Sequence, residues 1–148
     1  MISVLFDDRQ DVMEITKDNE AEIIKAVEAV LTEEEIHGDI EVSVSFVTNE
    51  EIKELNREYR NVDNETDVLS FPMNEEFDGV TILGDIVIST QKIIEQASDF
   101  NHSLEREMCY ITVHSMLHLL GYDHMCSDEK SHMREKEKGI MKALKIFK

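Results

Sequence analysis

Three histidines, His114, His118 and His124, fall within the run His114-Ser115-Met116-Leu117-His118-Leu119-Leu120-Gly121-Tyr122-Asp123-His124. On a helix, residues i and i+4 share a face with Cβ atoms roughly 6 Å apart, so His114 and His118 can direct their rings at one ion. Gly121 tolerates the left-handed backbone that ends a helix, and Tyr122 and Asp123 can then turn the chain so that His124 reaches the same point. Three imidazole nitrogens on a divalent ion leave a position for water or substrate, which is how a catalytic zinc site differs from a closed structural one. The alternative, in which His114 and His118 are core residues and His124 an exposed loop residue, needs a hydrogen-bond partner for each nitrogen of two neighbouring buried rings. Cys126 is a conceivable fourth ligand, but it would close the site.

The elements that must position these residues follow from periodicity. From Met108 to Leu120 there is no Lys, Arg, Asp or Glu, so a helix over about 104–120 is expected to be buried and to hold His114 and His118 before any ion arrives. Ile2, Val4 and Phe6 form the inward face of a first strand, and Ile40, Val42, Val44 and Phe46 alternate with Glu41, Ser43 and Ser45 in the clearest one. Ile23, Ile24, Val27, Val30 and Leu31 trace a helical stripe between them. Thr48-Asn49-Glu50-Glu51 is a capping-box signature for a helix carrying Ile52, Leu55 and Tyr59. A short strand from Val68 to Phe71 is expected to end at Pro72, with a connection from Asn74 to Gly79 and a longer strand from Val80 to Ser89. Helices over about 90–100 and 128–146 complete a single α+β domain, residues 1–148. Its mixed four-stranded sheet packs against about five helices, with the 104–120 helix central.

Two resemblances bear on the histidine segment. It resembles the signature H-E-x-x-H-x-x-G-x-x-H of metzincin proteases, which implies a zincin-like metal-binding helix. Where those proteases carry a Glu as general base, however, this chain has Ser115, far too weak a base to deprotonate water. The run His114-Ser115-x-Leu117-His118-Leu119-x-Gly121-Tyr122-Asp123-His124 more closely resembles the YbeY family of bacterial metal-dependent endoribonucleases. Tyr59-Arg60, Thr66-Asp67-Val68-Leu69-Ser70-Phe71-Pro72 and Leu83-Gly84-Asp85-Ile86-Val87-Ile88-Ser89 are similar to other motifs of that family. The resemblance implies a single-strand-specific endoribonuclease of ribosomal RNA maturation and ribosome quality control, partnered by RNA and the small ribosomal subunit. It also implies one divalent ion, zinc being the expected one, on His114, His118 and His124.

The chemistry that follows is expected to run in three parts. The ion polarises water or a phosphoryl oxygen, and coordination brings the pKa of water from 15.7 toward about 7. Arg60 clamps the phosphodiester, a role the resemblance gives it and which a planar guanidinium suits; otherwise it is a surface arginine at a helix end. Asp85 or Asp67 serves as an acceptor for a ligand imidazole or as a proton shuttle, with Asp123 a further candidate. His37, His102 and His132 are expected to be structural or solvent-exposed.

Composition bounds these expectations. A chain of 148 residues with 41% apolar content suits one core. Two cysteines, one in the apolar helix, do not make a disulfide framework, and no signal peptide or apolar span of 18 residues is seen, so a soluble cytoplasmic protein with no membrane contact and no organic cofactor is expected. The net charge of −18 argues against nucleic-acid binding by global electrostatics. Residues 130–148 nevertheless carry seven Lys and Arg against two Glu, a net of +5 that leaves −23 on the rest, and this segment offers a local surface for phosphates. Two rivals stay open: a metallohydrolase acting on peptides or small molecules, and a ribosome-associated binding module with a structural metal.

Overall fold

Alternation in one strand organises the molecule: Ile40, Val42, Val44 and Phe46 are all buried on one side of it, and two helices cover that side. The computed structural model describes residues 1–122 and 127–144. The elements are β1 (Ile2–Asp8), α1 (Lys17–Glu33), β2 (Asp39–Val47), α2 (Asn49–Arg60), β3 (Val68–Phe77), β4 (Val80–Ser89), α3 (Thr90–Asp99), α4 (Leu104–Leu119) and α5 (Ser127–Ala143). The strands form one sheet in the order β1-β2-β4-β3, with β1, β2 and β4 parallel and β3 antiparallel at an edge. The four-stranded mixed sheet and five helices of the sequence reading are thus present.

Helix α1 starts at a reciprocal cap, in which Thr16 Oγ1 accepts from the Asn19 amide at 3.1 Å and Asn19 Oδ1 accepts from the Thr16 amide at 2.9 Å. Its buried stripe, Ile23, Ala26, Val27, Val30 and Leu31, joins the same core as the inward residues of β2. Helix α4 packs beside α1, over β3 and β4, with α3 and α5 against its flanks. That surround explains why ten of its residues are buried although it is scarcely amphipathic. Among the described residues the opposite face of the sheet carries α2, over a small cluster of Val47, Ile52, Leu69 and Val87. Successive β4 residues therefore diverge: Ile86 and Ile88 face the α4 core, while Val87 faces α2, as does Asp85 by the same alternation. Among the described residues no helix is long and apolar enough to cross a membrane.

One boundary differs from the sequence expectation. Strand β3 does not end at Pro72 but runs on to Phe77 after an irregularity between Pro72 and Glu75. An edge strand tolerates proline because one side of its ladder has no partner, and the bulge absorbs the misfit. Most of the expected Asn74-to-Gly79 connection is therefore strand. The turn itself is Asp78-Gly79, with φ of 50° and 81°, the left-handed pair that a type I′ hairpin requires.

Gly84 sets how closely α4 and β3 approach β4. Its φ is 149°, and a Cβ there would lie 2.2 Å from the Phe71 carbonyl oxygen and 3.1 Å from Leu119 Cδ2. A clash with backbone has no side chain to swing away. Gly84→Ala should lower stability by about 2–3 kcal/mol in urea unfolding, and an unchanged midpoint would refute the close approach. The buried Cys109 thiol makes a second prediction. Burial, then the nearby Glu22 carboxylate, pushes its pKa from 9.0 up to about 12. The folded state holds this proton longer than the unfolded chain, so the associated stability is complete below pH 9 and is lost as pH rises toward 12. The urea midpoint of Cys109→Ala should accordingly fall less steeply over that interval than that of the parent protein.

Candidate metal centre and cleft

In the buried stretch of α4, His114 and His118 are only half-buried and face a cleft. Their rings meet edge-on, with centroids 4.7 Å apart and planes at 77°, and the two Nε2 atoms stand 3.1 Å from each other. What turns them this way is the other nitrogen of each ring. His118 Nδ1 donates to the Tyr122 carbonyl oxygen at 3.0 Å, and His114 Nδ1 makes a short hydrogen bond to the Glu137 carboxylate. A carbonyl oxygen only accepts, so the His118 contact requires a proton on Nδ1, and the Glu137 carboxylate favours the corresponding Nδ1–H of His114. The two Nε2 atoms then face one another on the cleft side of the helix.

Gly121 produces the first of these contacts. With φ of 103° it ends α4 in a Schellman turn, in which the Tyr122 amide donates to Leu117 O at 2.9 Å and the Gly121 amide to His118 O at 3.0 Å. The turn presents the Tyr122 carbonyl to the His118 ring. Its phenol is held elsewhere, donating to Glu34 Oε1 at 2.5 Å, while Lys136 pairs with Glu34 Oε2 at 3.1 Å. The second contact comes from α5, where Glu137 is 4% exposed and also accepts from Tyr110 Oη at 3.2 Å. Burial, and then this carboxylate, pushes the Tyr110 phenol up to about 12, which keeps it a donor.

The cleft beside the rings has a volume of about 630 Å³ and is lined by Arg60, Asp67, Ser70 and Tyr122 among others. Arg60 is the last residue of α2, which Asn61 ends in the left-handed conformation with φ of 57°. Beyond it the loop toward β3 is tied down by Asn56, whose side-chain amide donates to Asn64 O at 3.0 Å. Asp67 accepts from Gln96 Nε2 at 3.2 Å, which aligns its carboxylate along the cleft wall. Ser115 is fully buried and its hydroxyl sits 2.5 Å from Ser70 Oγ. The residue after the first histidine therefore links α4 to β3, and it is not offered to a substrate.

His114, His118, Arg60 and Asp67 thus line one cleft. Asp85 does not. It pairs with Phe71 in the sheet and lines a separate cleft with Arg9, Tyr59 and Phe71 on the α2 face, with the thickness of the sheet between it and the histidines. Acceptors for the imidazoles come instead from Glu137 and the Tyr122 backbone. His124, with Asp123 and Cys126, lies outside the described residues, and among the described residues no group of three His, Cys, Asp or Glu is placed to hold a metal. His37 and His132 are exposed and His102 pairs with Glu107 at 2.6 Å, in keeping with structural or surface roles. Glu137 escaped the sequence reading, yet it left a signal there: it stands on the stripe Met133, Ile140, Met141, where an apolar residue would otherwise be expected.

The chain has well-defined relatives. The family profile described as Endoribonuclease YbeY matches residues 5–145. An Endoribonuclease YbeY from Caldanaerobacter subterraneus subsp. tengcongensis is 50% identical, covering 97% of this chain and 98% of its own. Its counterpart from Thermoanaerobacter sp. is 46% identical, covering 98% and 99%. Among solved structures, a Thermotoga maritima protein determined in solution superposes with a TM-score of 0.59 at 27% identity, covering 98% of this chain and 92% of that one.

The Ser70–Ser115 contact can be measured directly. Ser70→Ala strands the buried Ser115 hydroxyl and should cost about 1 kcal/mol, Ser115→Ala leaves the half-buried Ser70 hydroxyl at the cleft and should cost less, and the double variant should cost less than the sum. Strict additivity would show that the two hydroxyls do not interact.

Proposed function

The chain belongs to the YbeY endoribonuclease family, and from that membership we propose that it cuts single-stranded RNA by metal-dependent hydrolysis in the cleft between α4 and β3. The observation that carries the proposal is the convergence of two Nε2 atoms at 3.1 Å while both Nδ1 atoms are engaged by acceptors. Zinc–nitrogen bonds of about 2.0–2.1 Å can bridge such a separation, and neutral imidazoles in this tautomer are the chemistry zinc selects. The pair fits the ion. In this reading His114, His118 and His124 hold one divalent cation, zinc being preferred, and His124 follows Tyr122 by two residues in the chain. Bound by these residues, such an ion would supply Lewis-acid polarisation and a lower pKa for water, toward about 7.

The remaining work falls to side chains. Arg60, exposed at the cleft wall, receives a phosphate oxygen pair bidentately and stabilises the charge that develops there. Asp67 stands in the same cleft and takes the role of proton carrier that Asp85, beyond the sheet, is not placed to take. Ser115, bonded to Ser70, supplies no base, which favours phosphodiester cleavage over a peptidase of the metzincin type. The edge strand β3 lines one side of this cleft, and in this reading an unpaired strand lies along it. By its family resemblance we extend the reading to ribosomal RNA on the small subunit.

Elemental analysis and RNA digestion test the proposal together. The purified protein should carry about one zinc per chain. His118→Ala should lose both the metal and the cleavage of single-stranded RNA. Arg60→Ala should keep the metal and lose about 10²–10³-fold in rate, the usual consequence of removing one transition-state donor. Cleavage that survives complete metal removal would overturn the proposal.

A further inference from the structure

Glu137 is a buried carboxylate on an otherwise apolar stripe of a helix whose exposed side is basic. Its two oxygens divide their partners: Oε1 accepts from Tyr110 Oη at 3.2 Å, and Oε2 bonds His114 Nδ1. No lysine or arginine pairs with it among the described ion pairs, although Arg134 is near enough to act electrostatically on Tyr110. A carboxylate taken out of water without a cationic partner is unfavourable, so packing alone does not account for it. A methionine or leucine would fill the same place against Met133 and Ile140.

Its geometry accounts for it. An imidazole ring has two tautomers and a rotatable χ2 torsion. The carboxylate removes both freedoms at once, because it accepts only from a protonated Nδ1 and from one direction. Tyr110, four residues earlier on α4, holds the second oxygen, so the carboxylate itself cannot turn. Helix α5 is seated by Met133, Ile140 and Met141, which are 7% exposed or less, so the position of Glu137 is set by core packing. Since α5 begins three residues after His124 in the chain, one helix follows the third proposed ligand closely and also orients the first.

We infer that Glu137 is the positioning residue of the metal centre: with Tyr110 as its tether, it fixes the tautomer and orientation of His114 and strengthens that imidazole as a metal ligand. The inference rests on the metal reading proposed above. It assigns Glu137 no contact with substrate.

Zinc affinity, measured by chelator competition on the full chain, provides the test. The parent protein and His114→Ala are compared first: uptake of about one zinc by the former and its loss in the latter uphold the metal reading, and no uptake by the parent defeats that reading and this inference together. Given uptake, Glu137→Ala should bind zinc 10–100-fold more weakly. Glu137→Gln, whose amide oxygen still accepts but carries no charge, should restore part of the loss and remain a few-fold weaker than the parent. Tyr110→Phe should fall between Gln and the parent. The metal-free proteins supply an independent readout, since long-range ¹H–¹⁵N correlations distinguish the two imidazole tautomers. His114 should be the Nδ1–H form in the parent and a mixture of tautomers in Glu137→Ala. If Glu137→Ala does not fold, Glu137→Gln decides: zinc affinity equal to the parent's overturns the inference, and so does unchanged affinity in a folded Glu137→Ala.

Discussion

The two imidazoles of α4 are aimed by the hydrogen bonds on their far nitrogens, and the rest of the site depends on that. An i, i+4 spacing places both rings on one face, but it leaves their tautomers and torsions open. One acceptor is the Tyr122 carbonyl, delivered by the left-handed turn at Gly121, and the other is Glu137, delivered by α5. Each comes from a different structural device, a local backbone turn in one case and a long-range helix contact in the other. Together they direct both Nε2 atoms into the cleft.

Burial of α4 makes such aiming worthwhile. The helix is walled by the sheet, α1, α3 and α5, so its backbone has little room to shift, and the histidines inherit that rigidity. The close approach at Gly84 belongs to the same arrangement. It lets the Phe71–Pro72 backbone and Leu119 crowd against β4, which brings the last turn of α4 onto the edge strand and closes one side of the cleft. The Ser70–Ser115 contact fastens the same two elements one turn earlier.

Electrostatics divide between the molecule and the site. A net charge of −18 repels a polyanion at long range, beyond a Debye length of about 8 Å only weakly at physiological salt. At short range, the Arg60 guanidinium presents positive charge at the cleft wall, to which the ion proposed on the histidines would add. Of the basic residues in α5, Lys136 is occupied by Glu34 in bracing Tyr122, so that helix is partly structural and not purely a surface for phosphate. The acidic remainder favours a substrate delivered to the site over indiscriminate RNA binding.

The amino-acid sequence by itself determined much of this. The alternation in β2, the apolar stripe of α1 and the uncharged run of α4 identified the core, because burial is written in local periodicity. His114, His118, Arg60 and, as an alternative to Asp85, Asp67 were singled out through residue type and motif, and they line one cleft; Gly121 was legible as the residue that ends α4. Three things were not. Pro72 looked like a strand end because whether a strand lies at an edge is not a local property. Asp85 looked like a partner of the histidines because motif proximity carries no information about which face of the sheet a side chain leaves from. Glu137 stood far along the chain in a helix that looked merely basic. Only the tertiary structure decided these, since each depends on which elements pack against each other, and sequence spacing constrains contacts only within a turn or a strand pair.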